Sequence, residues 1–203
     1  MRTLLVNCYR QEPEEKIGNF IKLVEKFSGS EVIADRAINP TFDVSRFGAL
    51  VLSGSSALVG AGEYYENFIL FLRRVRLPVL GVCYGLQILA KAFGGVVTKG
   101  ELVSKNDEKI TITADDPLFT GLGKELTAVE NHYEYVEESS LKGADFHLLA
   151  HSDSCPVEAI RHKRQPLYGV QFHLERSGEL GRQIMANFYG FIVKPKNLLL
   201  DKS

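Results

Sequence analysis

A chain of 203 residues, 45% hydrophobic and 24% charged, has the apolar material for one sizeable core. Its formal net charge of -1 excludes the broad basic surface of a nucleic-acid binder, and no apolar run approaches the roughly 20 residues that cross a bilayer. Three cysteines, Cys8, Cys83 and Cys155, are odd in number and far apart. They form no disulfide framework and no C-x-x-C pair, so no metal site is expected, and a reducing cytoplasm suits them. The N-terminus lacks the apolar length and cleavage site of a signal peptide.

In chain order, Thr3–Val6 reads as a strand and Glu14–Phe27 as an amphipathic helix through Ile17, Phe20, Ile21 and Val24. Glu31–Ala34 and Ala49–Leu52 read as further strands, the latter running into the SGSS loop at 53–56. A helix is predicted over Glu63–Val75, a strand over Leu77–Val82 and a helix over Leu86–Phe93. That leaves Cys83, Tyr84 and Gly85 to make the corner between the last two. Short β-type segments follow at Val96–Thr98, Lys109–Thr113, Glu125–Val129, Phe146–Ala150, Val157–Arg161 and Leu167–Gln171, then a helix over Glu179–Ile192 and a polar tail ending in DKS. Alternation in the first half implies a parallel sheet wrapped by helices, with an antiparallel elaboration in the second. One domain over residues 1–203, without repeat or linker, is the simplest organisation.

Ligands of open α/β sheets bind at the carboxyl ends of the strands. Three such ends carry permissive or reactive residues: Ser53-Gly54-Ser55, Cys83, and QFHLE at 171–175. A buried cysteine is more often a small hydrophobe than a nucleophile. Cys83, however, stands at a predicted helix N-terminus, where free N–H groups and the dipole favour a thiolate. Its flanking glycines suit a strained nucleophile corner. Of five histidines, His173 lies just past an apolar strand with Glu175 two residues on, on the same face of an extended chain. Nucleophile, base and orienting carboxylate are thereby available to one cleft. His147 and His151 fall on one strand, too far apart for a shared metal, and the basic turn RHKR at 161–164 reads as a solvated hairpin tip.

GVCYGLQ (81–87) followed by GVQFHLE (169–175) resembles the paired signature of class I glutamine amidotransferases. CPVEAIRHKRQPLYGVQFH (155–173) is most similar to the glutaminase portion of archaeal-type, separate-subunit GMP synthetases. The resemblance spans nearly the whole chain. It implies a three-layer α/β sandwich with a mostly parallel, flavodoxin-like sheet and a small antiparallel elaboration. It further implies hydrolysis of the glutamine side-chain amide through a glutamyl thioester, with Cys83 as nucleophile, His173 as base and then acid, and Glu175 orienting the ring. By the same resemblance the backbone N–H groups of Gly54 and Tyr84 form the oxyanion hole, and Gln87, with the backbone of Tyr133 and Glu134, holds the amino-acid end. No cofactor is implied. Because no phosphate-binding loop and no second domain are present, ammonia would pass to a separate synthetase chain of the ATP-pyrophosphatase type.

Leu174 stands where the family usually has proline, SGSS replaces the family's SGGP, and the early segment NCYRQEPEE also departs from the pattern. Leu174 is expected to loosen the backbone between base and orienter, and Ser55 to restrict the loop. Two rival readings are a standalone γ-glutamyl hydrolase with the same triad and a catalytically silent regulatory chain. The intact Cys83, His173 and Glu175 argue against the second.

Overall fold

The computed structural model describes residues 1–193; the expected polar tail lies outside the described residues. A nine-stranded sheet runs through the molecule in the order β2-β1-β3-β4-β9-β8-β7-β5-β6. Its strands are β1 (Arg2–Asn7), β2 (Gly29–Ala34), β3 (Ala49–Leu52), β4 (Val79–Val82), β5 (Val97–Ile112), β6 (Glu125–Val136), β7 (Phe146–Ser152), β8 (Ala159–His162) and β9 (Leu167–Val170). The five strands from β2 to β9 are parallel, and every pairing from β9 outward to β6 is antiparallel. The antiparallel part therefore continues the same sheet rather than forming an appendage.

Helices cover both faces. On one side α2 (Glu66–Arg74) and α3 (Tyr84–Ala92) bury Phe68, Leu72, Leu86 and Leu89; on the other, α1 (Pro13–Val24) and α5 (Gly178–Asn187) bury Phe20, Ile184 and Met185. The strands β3, β4 and β9 are buried at every position, which is why they read as unbroken apolar runs. A further short helix, α4 (Glu138–Leu141), and 3₁₀ turns at Asp35–Ala37 and Pro117–Phe119 had no apolar periodicity to announce them.

Two predicted elements change character. The short segments at 96–98 and 109–113 are ends of the one bent strand β5, whose register against β6 shifts between Lys99 and Val103 and again between Lys105 and Glu108. Polar residues over 99–108 conceal it, because pairing with β6 rather than burial keeps them extended. Strand β6 likewise runs seven residues past its predicted end, since its buried face there carries Glu130, His132 and Glu134 instead of hydrophobes.

The turn after β4 is tighter than predicted. Tyr84 already belongs to α3, and Cys83 alone makes the corner, at φ 53°. Strand and helix approach so closely here that a Cβ on Gly85 would lie 2.6 Å from the Leu52 carbonyl oxygen, and one on Gly81 would strike the Gly85 backbone.

Candidate active site

The cleft opens where β3, β4 and β9 end and β6 folds over them. It encloses about 320 Å³ and is lined by residues including Tyr9, Ser55, Cys83, Gln87, Tyr133, His173 and Glu175. Cys83 is held by its own N–H, which donates to the Val170 carbonyl at 2.8 Å, while its carbonyl accepts from Leu86 and Gln87. A non-glycine residue at φ 53° is strained, and the surrounding strand and helix fix it there. As the first helical residue, Tyr84 has an N–H without an intrahelical acceptor, beside the sulfur.

His173 and Glu175 come together by a different route from the one expected. Residues 171–175 are not extended; the chain turns, with Arg176 N–H donating to the His173 carbonyl at 3.1 Å. Within that turn His173 Nδ1 donates to Glu175 Oε1 at 2.7 Å. The turn is pinned to β6 by His173 N–H on the Val129 carbonyl at 2.8 Å and by Ser177 Oγ, which donates to the His173 carbonyl at 2.7 Å and accepts from Val129 N–H. Leu174, where the family has proline, is buried in the core beside α5, so packing fixes the turn that a ring would otherwise restrict.

Thiol and imidazole meet at one carbonyl. Cys83 Sγ is 4.0 Å and His173 Nε2 3.4 Å from the Asn131 oxygen. Burial works against a charged His173, but a hydrogen bond and charge from Cys83, followed by those from Glu175, outweigh it and hold the imidazole well above its ordinary range. Gly54 faces the same point: a Cβ there would lie 3.3 Å from His173 Cε1, 3.3 Å from the Tyr9 hydroxyl and 3.7 Å from Cys83 Cβ. Ser55 has no positive φ, so the second serine of SGSS imposes no strain, and its hydroxyl accepts from Ala57 N–H.

Gln87 is buried, with its Nε2 engaged by the Glu134 carbonyl at 2.7 Å and by Gln171 Oε1 at 3.2 Å. The Glu134 carbonyl also accepts from His132 Nδ1, and the Glu134 carboxylate accepts from Gly60 N–H. Gln87 and Glu134 thus brace the wall between α3 and β6, while Tyr133 is exposed at the cleft edge.

Sequence reasoning missed several residues. Tyr9 reaches the cleft from the irregular segment after β1. Arg10 clamps Asp35 with two hydrogen bonds of 2.9 and 2.8 Å, reaches the Tyr84 hydroxyl at 3.4 Å and lies over the Tyr65 ring. The carbonyl of Asn131 leaves no trace in a side-chain motif. A signal did exist for Glu130 and Glu158, acids flanked by apolar residues within predicted strands. The basic turn at 161–164 is paired: Arg161 with Asp116, and Lys163 and Arg164 with Asp145.

Among the described residues no helix is long and apolar enough to cross a membrane. A family model described as glutamine amidotransferase class-I matches residues 22–191. The glutamine-hydrolysing chain of the GMP synthase of Archaeoglobus fulgidus is 38% identical over 140 residues, which cover 68% of this chain and 73% of that one. The protein of the same description from Pyrococcus furiosus is 38% identical over 146 residues, covering 68% and 72%. A crystal structure of a candidate GMP synthase component from Thermoplasma acidophilum superposes with a TM-score of 0.78 at 25% identity, over 94% of this chain and 92% of that one. With the cysteine corner and the His-x-Glu turn both inside the matched span, this chain belongs to the class-I glutamine amidotransferase family.

Proposed function

We propose that the protein is the glutamine-hydrolysing component of a two-chain amidotransferase, passing ammonia to a separate ATP-pyrophosphatase-type synthetase in cytoplasmic GMP synthesis. The observation that carries this reading is the convergence of Cys83, on its φ 53° corner, and the His173–Glu175 pair on the Asn131 carbonyl within one cleft. Names of the archaeal relatives support the acceptor and the partner.

The chemistry follows from the groups. The Cys83 thiolate attacks the side-chain carbonyl of glutamine, and the oxyanion develops toward the N–H groups of Tyr84 and Gly54. A donor of this kind is typically worth about 3–4 kcal/mol. His173, protonated and steadied by Glu175, gives its proton to the departing amine, so ammonia leaves and a γ-glutamyl thioester remains. The now neutral imidazole takes a proton from water, whose oxygen attacks the thioester. Glutamate departs with the regenerated thiolate as leaving group, and the imidazole is charged again.

Treatment with a diazo-ketone analogue of glutamine, followed by peptide mapping, tests the reading. Modification of Cys83 alone, prevented by excess glutamine and accelerated by the synthetase chain, is the expected result. Absence of modification with and without that chain would overturn it.

A further inference from the structure

Beneath the cleft wall lies a buried acid pair that the reaction above does not use. Glu130 on β6 and Glu158, just before β8, are 1% and 0% exposed. Both oxygens of Glu130, and Oε2 of Glu158, have no hydrogen-bond donor. Two carboxylates left in that condition, facing each other in the interior, would carry a large desolvation and repulsion penalty. The neighbouring groups indicate where protons must be. His132 Nδ1 lies 3.0 Å from the Glu134 carbonyl, which can only accept, so this nitrogen carries the hydrogen. In the neutral ring Nε2 is then a bare lone pair, and it sits 3.2 Å from Glu130 Oε2. At the far end Ser152 Oγ donates to Glu158 Oε1 at 2.7 Å.

One arrangement satisfies every atom of this row. Ser152 donates to Glu158, a protonated Glu158 to Glu130, a protonated Glu130 to His132, and His132 to the Glu134 carbonyl. We propose that Glu130 is a neutral carboxyl group acting as a positioning residue, fixing through His132 the wall segment 131–134 that meets Cys83, His173 and Gln87. The consequence for the site is direct. The same segment supplies the Asn131 carbonyl on which thiol and imidazole converge and the Glu134 carbonyl that holds Gln87.

The charges around the pair agree. Burial is the largest influence on Glu130 and pushes it up to about 7, opposed by the hydrogen bond with Glu158 and by the His173 charge; Glu108 raises it further and Lys105 lowers it. Burial and then the Glu130 charge push Glu158 well up, while Ser152 and His132 act the other way. His132 is pushed down, chiefly by burial, which favours the neutral ring.

This inference rests on the glutaminase reading for its kinetic consequence but not for its spectroscopic one. A glutamine side chain at 130 can donate to His132 and accept from Glu158, reproducing the protonated state at every pH. For the wild type, kcat for glutamine is expected to fall about tenfold per pH unit once the Glu130 proton is lost. Glu130→Gln is expected to lack that limb, and Glu130→Ala to be low throughout. The infrared C=O band of a protonated carboxyl, present in wild type at about pH 6, should weaken in Glu130→Gln, and the His132 nitrogen shifts should report the Nδ1–H tautomer. Superimposable pH profiles of wild type and Glu130→Gln would overturn the positioning role. Absence of the carboxyl band in the folded wild-type protein would overturn the proton assignment, even if the chain hydrolysed no glutamine.

Discussion

His173 and Glu175 are joined Nδ1 to Oε1 at 2.7 Å across a turn in which Leu174 is buried, so the core of α5 rather than an extended backbone sets the base against its carboxylate. Glu175→Gln keeps an oxygen able to accept from Nδ1 but removes the charge that favours the imidazolium. The expected result is a fall in kcat of roughly 10³-fold with little change in KM, by analogy with orienting carboxylates of other triads. Steady-state glutamine hydrolysis decides it; a raised KM with kcat intact would make Glu175 a substrate contact instead.

The titration of His173 separates its two supports. Cys83 and Glu175 both raise it against burial, and Cys83 supplies the larger share. In Cys83→Ala the imidazole midpoint, followed by NMR of the ring, should drop further than in Glu175→Gln. The sign for stability follows. A histidine raised on folding stabilises the fold fully below its unfolded value of about 6.5, and that contribution is lost as pH rises through the folded value. The Cys83→Ala protein should therefore lose less stability than wild type over the alkaline range in urea unfolding.

Much of this site was legible as sequence because backbone geometry demanded particular residues. Gly81 and Gly85 announce the corner since side chains there would strike backbone, and the apolar run into Cys83 marks a strand buried on both faces. The His173–Glu175 pairing was foreseen, but from the wrong local conformation. What could not be read is the wall formed by β6. Its contributions are carbonyl oxygens, available from any residue type, and its buried face carries Glu130, His132 and Glu134 where a strand pattern would require hydrophobes. Tyr9 was hidden for a related reason: an irregular segment has no period, so its aim is set by tertiary contacts such as the tilted packing of its ring on Phe20.

Glycine substitutions discriminate catalytic geometry from fold. Gly54→Ala introduces a methyl 3.3 Å from the imidazole, a contact that a small displacement of His173 can relieve. About a tenfold or greater loss of kcat with a nearly unchanged melting temperature is expected. Gly85→Ala meets a backbone oxygen at 2.6 Å that has no freedom to retreat, and should cost about 1–3 kcal/mol in urea unfolding. Gly18, within α1 with nothing near its absent Cβ, is the control: Gly18→Ala should stabilise by up to about 1 kcal/mol.

The Arg10–Asp35 pair carries a prediction about non-additivity. Asp35 is almost wholly buried, accepts two guanidinium hydrogen bonds and one from the Arg36 N–H, and is linked to the Tyr84 hydroxyl through the same arginine. Removing Arg10 alone leaves a buried carboxylate without its countercharge, and Arg10→Ala should destabilise by about 3–5 kcal/mol. Removing both charges leaves no such orphan, so the double variant Arg10→Ala/Asp35→Ala should be more stable than Arg10→Ala alone. Equilibrium unfolding of the four proteins in the cycle measures the coupling. If the two single losses simply added, the pair would be a surface-like contact and the segment carrying Tyr9 into the cleft would depend on its other anchors, the Asn7 side chain and Phe20.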